Sequence, residues 1–147
     1  MTAVITDACI KCKHMDCVEV CPVDAFHEGE NMLVINTLHC VDCGCCVDAC
    51  PVDAIVFDTE PRASAWIELN AKYSAIWPNV TYNGGQTPPD AAEFQLVAGK
   101  FERYFSPNPG KGDVGAQVSP TKVGPCGQCG TDNLFKKAIR AIRRLGR

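Results

Sequence analysis

Apolar positions in the first sixty residues come in short runs rather than in long helical stripes. Ala3-Val4-Ile5, Ala25-Phe26, Leu33-Val34-Ile35 and Ile55-Val56-Phe57 are each bounded by polar or turn-forming residues and predict four short strands. Gly29-Glu30-Asn31 turns one hairpin between them. Further on, Trp66, Leu69, Tyr73, Ile76 and Trp77 recur at helical spacing, which predicts a helix over 64–77, capped by Ser64 and ended by Pro78. A second helix is expected over 90–105. Asp90 with Glu93 reads as a capping box, and Phe94, Val97, Phe101, Tyr104 and Phe105 share a face. These aromatic residues are expected to pack against the first sixty residues as a cover.

Beyond Ser106 the periodicity stops. Residues 106–130 are rich in Gly, Pro and Ser and read as a linker or extended arm. Residues 134–147 then predict a basic amphipathic helix. Leu134, Phe135, Ala138, Ile139, Ile142 and Leu145 lie along one face, with six lysines and arginines mainly off it. The expected organisation is a core over 1–60, a helical cover over 61–105 and an arm over 106–147, together an α+β fold.

The 147 residues include 11 cysteines, and this changes the picture. Eight of them form two matched runs: Cys9, Cys12, Cys17, Cys21 before Pro22, and Cys40, Cys43, Cys46, Cys50 before Pro51. A short helix is expected between the third and fourth cysteine of each run. The proline stops it, because a residue before proline avoids the helical region. The runs lie in an internal repeat. Cys17–Ala25 and Cys46–Ala54 agree at seven of nine positions with an offset of 29, whereas Cys9 and Cys40 are offset by 31. The first unit therefore carries two extra residues before Cys17. Two similar units about a pseudo-twofold axis are implied, each giving a strand, a ligand loop, a short helix and a return strand.

Disulfides or metal could account for so many cysteines. The start MTAVITDAC has no basic segment followed by an apolar one, and no run reaches the roughly 18–20 apolar residues of a membrane helix. The cysteine count is odd. A cytoplasmic chain with thiolates kept for metal is the expectation. Charge is uneven along it: residues 1–105 carry 15 acidic against 6 basic side chains, a net of −9, and residues 106–147 carry 2 against 8, a net of +6. The two parts should meet different partners, and the acidic part argues against nucleic acid.

Cys-x2-Cys-x2-Cys-x3-Cys-Pro is the bacterial thiolate run for cubane iron–sulfur clusters, its fourth cysteine belonging to the other cluster. On that rule Cys40, Cys43 and Cys46 join Cys21 around a [4Fe-4S] cluster. Two all-cysteine zinc sites are the bland alternative. In the first run the gap between Cys12 and Cys17 is lengthened. Cys9, Cys17 and Cys50 then remain for a [3Fe-4S] cluster, although spacing alone leaves Cys12 open as a fourth ligand. Cys45, beside Cys46, stands where the motif uses no cysteine and reads as a buried free thiol. Asp16, next to Cys17, is a candidate for proton exchange on reduction, or an ordinary surface carboxylate.

Residues 1–82 resemble the long-chain bacterial seven-iron ferredoxins, and the likeness thins out through about 105. Thr6-Asp7-Ala8-Cys9-Ile10-Lys11-Cys12-Lys13, Asp16 to Asp24, Leu69-Asn70-Ala71 and Trp77-Pro78-Asn79-Val80-Thr81 carry it. The resemblance implies a two-cluster ferredoxin fold and a low-potential electron carrier. In that family the second cysteine of the first run is not a ligand. By similarity, Cys9, Cys17 and Cys50 hold [3Fe-4S], and Cys21, Cys40, Cys43 and Cys46 hold [4Fe-4S]. The tail exceeds what the resemblance covers.

In the tail, Cys126-Gly127-Gln128-Cys129 is half of a zinc-type knuckle. It is open to a metal shared across a dimer or with a partner, to a disulfide, or to no metal role. The basic helix could dock on an acidic protein, on an anionic membrane, or on its own domain. No acid–base or nucleophile constellation stands out, so the chain reads as an electron-transfer protein rather than an enzyme. Its partners would be a reductase and a terminal acceptor. The alternatives are an electron-wiring subunit anchored through the tail, or an iron- or oxygen-responsive regulator.

Overall fold

The computed structural model describes residues 2–81 and 87–112. The expectations for Cys126, Cys129 and the basic helix over 134–147 lie outside the described residues.

The four strands form close to the expected places: β1 Ala3–Ile5, β2 Phe26–Glu28, β3 Leu33–Ile35 and β4 Ile55–Phe57. They make two antiparallel pairs, β1 with β4 and β2 with β3, with Val4 opposite Val56 and His27 opposite Val34. Both β1 and β3 are buried at every position, which is why they read as unbroken apolar triplets without alternation. The short helices α1 Asp16–Glu19 and α2 Cys45–Ala49 pack against each other beneath the sheets. Ile5, Ile10, Val18, Phe26, Leu33 and Ile35 fill the core between them, each at most 1% exposed.

The expected helix over 64–77 is shorter. A single 3-10 turn, Pro61–Ala63, leads into α3 Ile67–Ser74. Ser64 does not cap it: its hydroxyl donates back to Pro61 O, and Trp66 holds the N-cap position without a side-chain bond. The helix also ends at Ser74, short of Pro78. Asn70, fully buried on α3, holds the helix to the sheets. Its Oδ1 accepts the N–H of Ile5 at 3.1 Å and of Ile35 at 2.9 Å, and its Nδ2 donates to Ile5 O at 2.8 Å.

The expected helix over 90–105 is two helices, α4 Ala91–Phe94 and α5 Lys100–Tyr104. Gly99, at φ 66, takes the left-handed turn that separates them. The capping box does not form, since Asp90 makes no side-chain bond to the helix start. The aromatic face still assembles. Phe94 meets Tyr104 edge-on at 5.1 Å, and Phe105 meets Tyr73 at 5.3 Å.

Residues 106–112 run along the β2–β3 hairpin. Gly110 N–H donates to Glu28 O, Glu30 N–H to Asn108 O, and Trp77 Nε1 to Pro107 O. Gly29 lies against the Trp77 ring, where a Cβ would sit 2.5 Å from it. Glu28, 1% exposed, receives Lys13 Nζ at 2.7 Å and the Gly112 N–H at 2.7 Å.

Candidate metal centre

Thiol loops need sharp turns to aim several sulfurs at one point, and the backbone supplies them in pairs. Lys11 and Lys13 in the first run have φ of 66 and 32; Asp42 and Gly44, 31 residues on, have 58 and 74. After the fourth cysteine, Asp24 and Asp53 match at 51 and 53, with the repeat offset of 29. Such conformations cost energy for a residue with a side chain, so their recurrence marks a geometry the site requires. The sulfurs are also received alike. Ala25 N–H donates to Cys21 Sγ at 3.4 Å and Ala54 N–H to Cys50 Sγ at 3.3 Å.

The thiols fall into two neighbourhoods. Cys9, Cys17 and Cys50 are buried at 6%, 3% and 5% exposure and lie within electrostatic reach of one another. Burial pushes the Cys9 thiol up to about 12, with Cys50 and Cys12 adding to the rise and a backbone bond from Leu33 opposing it. Cys17 is raised by burial first, then by Cys9 and Cys50, and after them by Cys46 of the second set. In the second neighbourhood, burial lifts Cys46 to about 12, followed by Cys21, Cys40 and Cys43. Those four line one narrow apolar cavity with Pro22, Phe26 and Gly44. Cys40 is half-buried and Cys43 is exposed, so this cavity reaches the surface while the first neighbourhood is enclosed. Exposed apolar residues line that mouth, Val41 at 57% and Val23 at 38%.

The remaining cysteines are placed differently. Cys12 is fully buried, with its thiol donating to Ala91 O at 3.5 Å and accepting from Lys100 Nζ at 3.4 Å. Cys45 is buried as expected, but it is disulfide-bonded and not a free thiol. Asp16 is exposed at the start of α1. Burial holds His14 below the ordinary imidazole range. Lys100 was not singled out in the sequence. It stands three residues after Val97 and four before Tyr104, on the aromatic face expected for residues 90–105.

Among the described residues no three His, Cys, Asp or Glu side chains stand close enough to share a single metal ion. A cluster that takes one thiolate at each iron holds its ligand sulfurs farther apart than a lone ion does. Cys21, Cys40, Cys43 and Cys46, lining one cavity, are a donor set that fits a thiolate-bound iron–sulfur group. No helix of the described residues is long and apolar enough to cross a membrane.

Two neighbourhoods of thiols in one small α+β fold, one buried and one reaching the surface, fit an iron–sulfur electron-transfer protein. Residues 2–51 match the family model of the 4Fe-4S dicluster domain, and residues 64–106 match a domain of unknown function. Ferredoxin-1 of Caulobacter vibrioides is 58% identical over 113 residues, which is 76% of this chain and 99% of the relative. A ferredoxin of Rickettsia felis is 45% identical over 108 residues, 72% of this chain and 97% of the relative. The chain belongs to the bacterial ferredoxin family.

Proposed function

We propose that this ferredoxin carries single electrons at low potential on two unlike clusters. Cys9, Cys17 and Cys50 would hold [3Fe-4S], and Cys21, Cys40, Cys43 and Cys46 would hold [4Fe-4S]. When bound, such clusters accept and release one electron at a time. The observation that carries this reading is the interleaving of the runs: Cys50 neighbours Cys9 and Cys17, while Cys21 neighbours Cys40, Cys43 and Cys46. The hydrogen bonds that engage the Cys12 thiol with Ala91 O and Lys100 Nζ support three ligands at the first site. Matched backbone turns and the crossed strand pairs support a pseudo-twofold core over 1–60, with a helical cover over 61–105 and an arm over 106–147.

The chain's own residues supply ligation, burial and a route to the surface. The exposed Cys43, sharing its cavity with Val41 and Val23 in a part of the chain with a net charge of −9, suits docking of a basic reductase or acceptor. A reducing cytoplasm suits the eight free thiols of the two runs. The wiring-subunit and regulator alternatives draw on the tail, and the ferredoxin relatives do not favour them.

Low-temperature EPR of anaerobically purified, oxidised protein tests the cluster types, together with an iron and zinc count. The expected result is one spin per chain near the free-electron position with about seven irons. An EPR-silent sample with about eight irons would assign Cys12 or another thiol as a fourth ligand.

A further inference from the structure

Among the described residues two lysines are buried, and they are treated differently. Lys13, 6% exposed, is matched by the Glu28 carboxylate at 2.7 Å. Lys100, 1% exposed, has no carboxylate within ion-pair distance among the described residues. Its Nζ donates to Ala8 O at 2.6 Å and to Cys12 Sγ at 3.4 Å. The left-handed Gly99 begins α5 immediately before it, and α5 packs on the 3-10 turn Asp7–Cys9. Taking an ammonium out of water costs several kcal/mol unless an anion answers it. A carbonyl and a neutral thiol are weak answers.

The missing anion has an evident source. Lys100 bonds to Ala8, the residue before Cys9, and to Cys12, beside the buried thiols of Cys9, Cys17 and Cys50. Its positive field reaches both Cys9 and His14. Three thiolates on an iron–sulfur core are a net anion, and each added electron makes it more so. A fixed cation in a medium of low dielectric then favours the reduced state over the oxidised one.

We propose that Lys100 is a positioning residue for the enclosed cluster: its buried ammonium is the fixed counter-charge that raises that cluster's reduction potential, while its bond to Cys12 Sγ keeps this thiol turned to the helical side. This rests on the reading that Cys9, Cys17 and Cys50 hold a cluster. Lys100 does not line the cavity of the open site, so its effect should be larger at the enclosed centre than at the open one.

The test compares the full-length holoprotein with Lys100→Gln, Lys100→Met and Lys100→Arg. Midpoint potentials of both clusters are read by voltammetry and by EPR-monitored titration at fixed pH. In the two neutral variants the enclosed cluster is expected to become harder to reduce by tenfold or more in the one-electron equilibrium, 59 mV or more. The open cluster should move much less, and Lys100→Arg should recover most of the shift. An unchanged potential in neutral variants with full iron content overturns the proposal. If neither neutral variant loads the enclosed site but Lys100→Arg does, the counter-charge is supported. If all three fail, Lys100 serves packing and the proposal is wrong. The wild-type EPR spectrum tests the three-ligand reading separately. A four-iron signal there would remove that reading, yet the shift at the enclosed site would still be measurable.

Discussion

Ile5 and Ile35, thirty residues apart, donate their backbone N–H groups to the same oxygen, Asn70 Oδ1. They occupy the ends of β1 and β3, the first strands of the two repeated units. One buried amide on α3 therefore joins both halves of the core. Asn70→Leu leaves two buried N–H groups without an acceptor, and each costs about 1–3 kcal/mol. The variant should lose its visible iron–sulfur absorbance at clearly lower guanidinium concentration than the parent. An unchanged midpoint would mean that water or a shifted backbone replaces the amide.

Removal of single thiols separates ligands from bystanders. Cys12→Ala is expected to keep its iron content and EPR spectrum, because the Cys12 thiol bonds to Ala91 O and Lys100. Cys17→Ala should lose the enclosed cluster. Loss of a cluster in Cys12→Ala, measured by iron count, would make Cys12 a ligand.

Protonation of the buried thiols gives the cluster-free chain a pH dependence. Cys9 and Cys46 rise from 9.0 to about 12, mainly through burial. A raised value means the fold favours the protonated thiol. That contribution is complete below pH 9 and is lost as pH rises toward 12. The cluster-free chain should thus become easier to unfold by urea between pH 9 and 12. Cluster insertion must displace these protons, so reconstitution in weak buffer should acidify the solution and proceed less completely at lower pH. Loading with no proton release would contradict the burial argument.

The proposed electron exit at Cys43 is tested through charge and exposure. The reduced protein should be oxidised faster by a cationic cobalt complex than by an anionic one of equal driving force at low salt. The difference should shrink near 0.1 M ionic strength, where screening acts over about 10 Å. Val23→Lys with Val41→Lys at the open mouth should reverse part of the preference, measured by stopped flow. Equal rates for both oxidants at low salt would count against electron exit at Cys43.

The strand positions and the two thiol runs were legible because unbroken apolar triplets and cysteine spacing are local signals. The split of the helix over 90–105 was harder to read. Gly99 was visible, but its left-handed turn is fixed by where α5 must dock. Ser64 failed as a cap for a similar reason: Pro61 opens an earlier turn that uses the Ser64 hydroxyl. Lys100 was illegible because its partners, Ala8 and Cys12, lie about ninety residues away in the chain. Likewise nothing near Ser106 announced that residues 106–112 would bond to a hairpin some eighty residues earlier.

The crossed pairing of strands has a consequence for synthesis. Val4 in β1 lies opposite Val56 in β4, so the first strand has no partner until the end of the second unit leaves the ribosome. β2 likewise waits for β3. Neither half of the duplication can finish folding as it emerges, and a nascent chain stopped at Asn31 would hold two unpaired edges and an open pocket. Sequence duplication here did not yield two separable modules. Each unit is the template on which the other is completed.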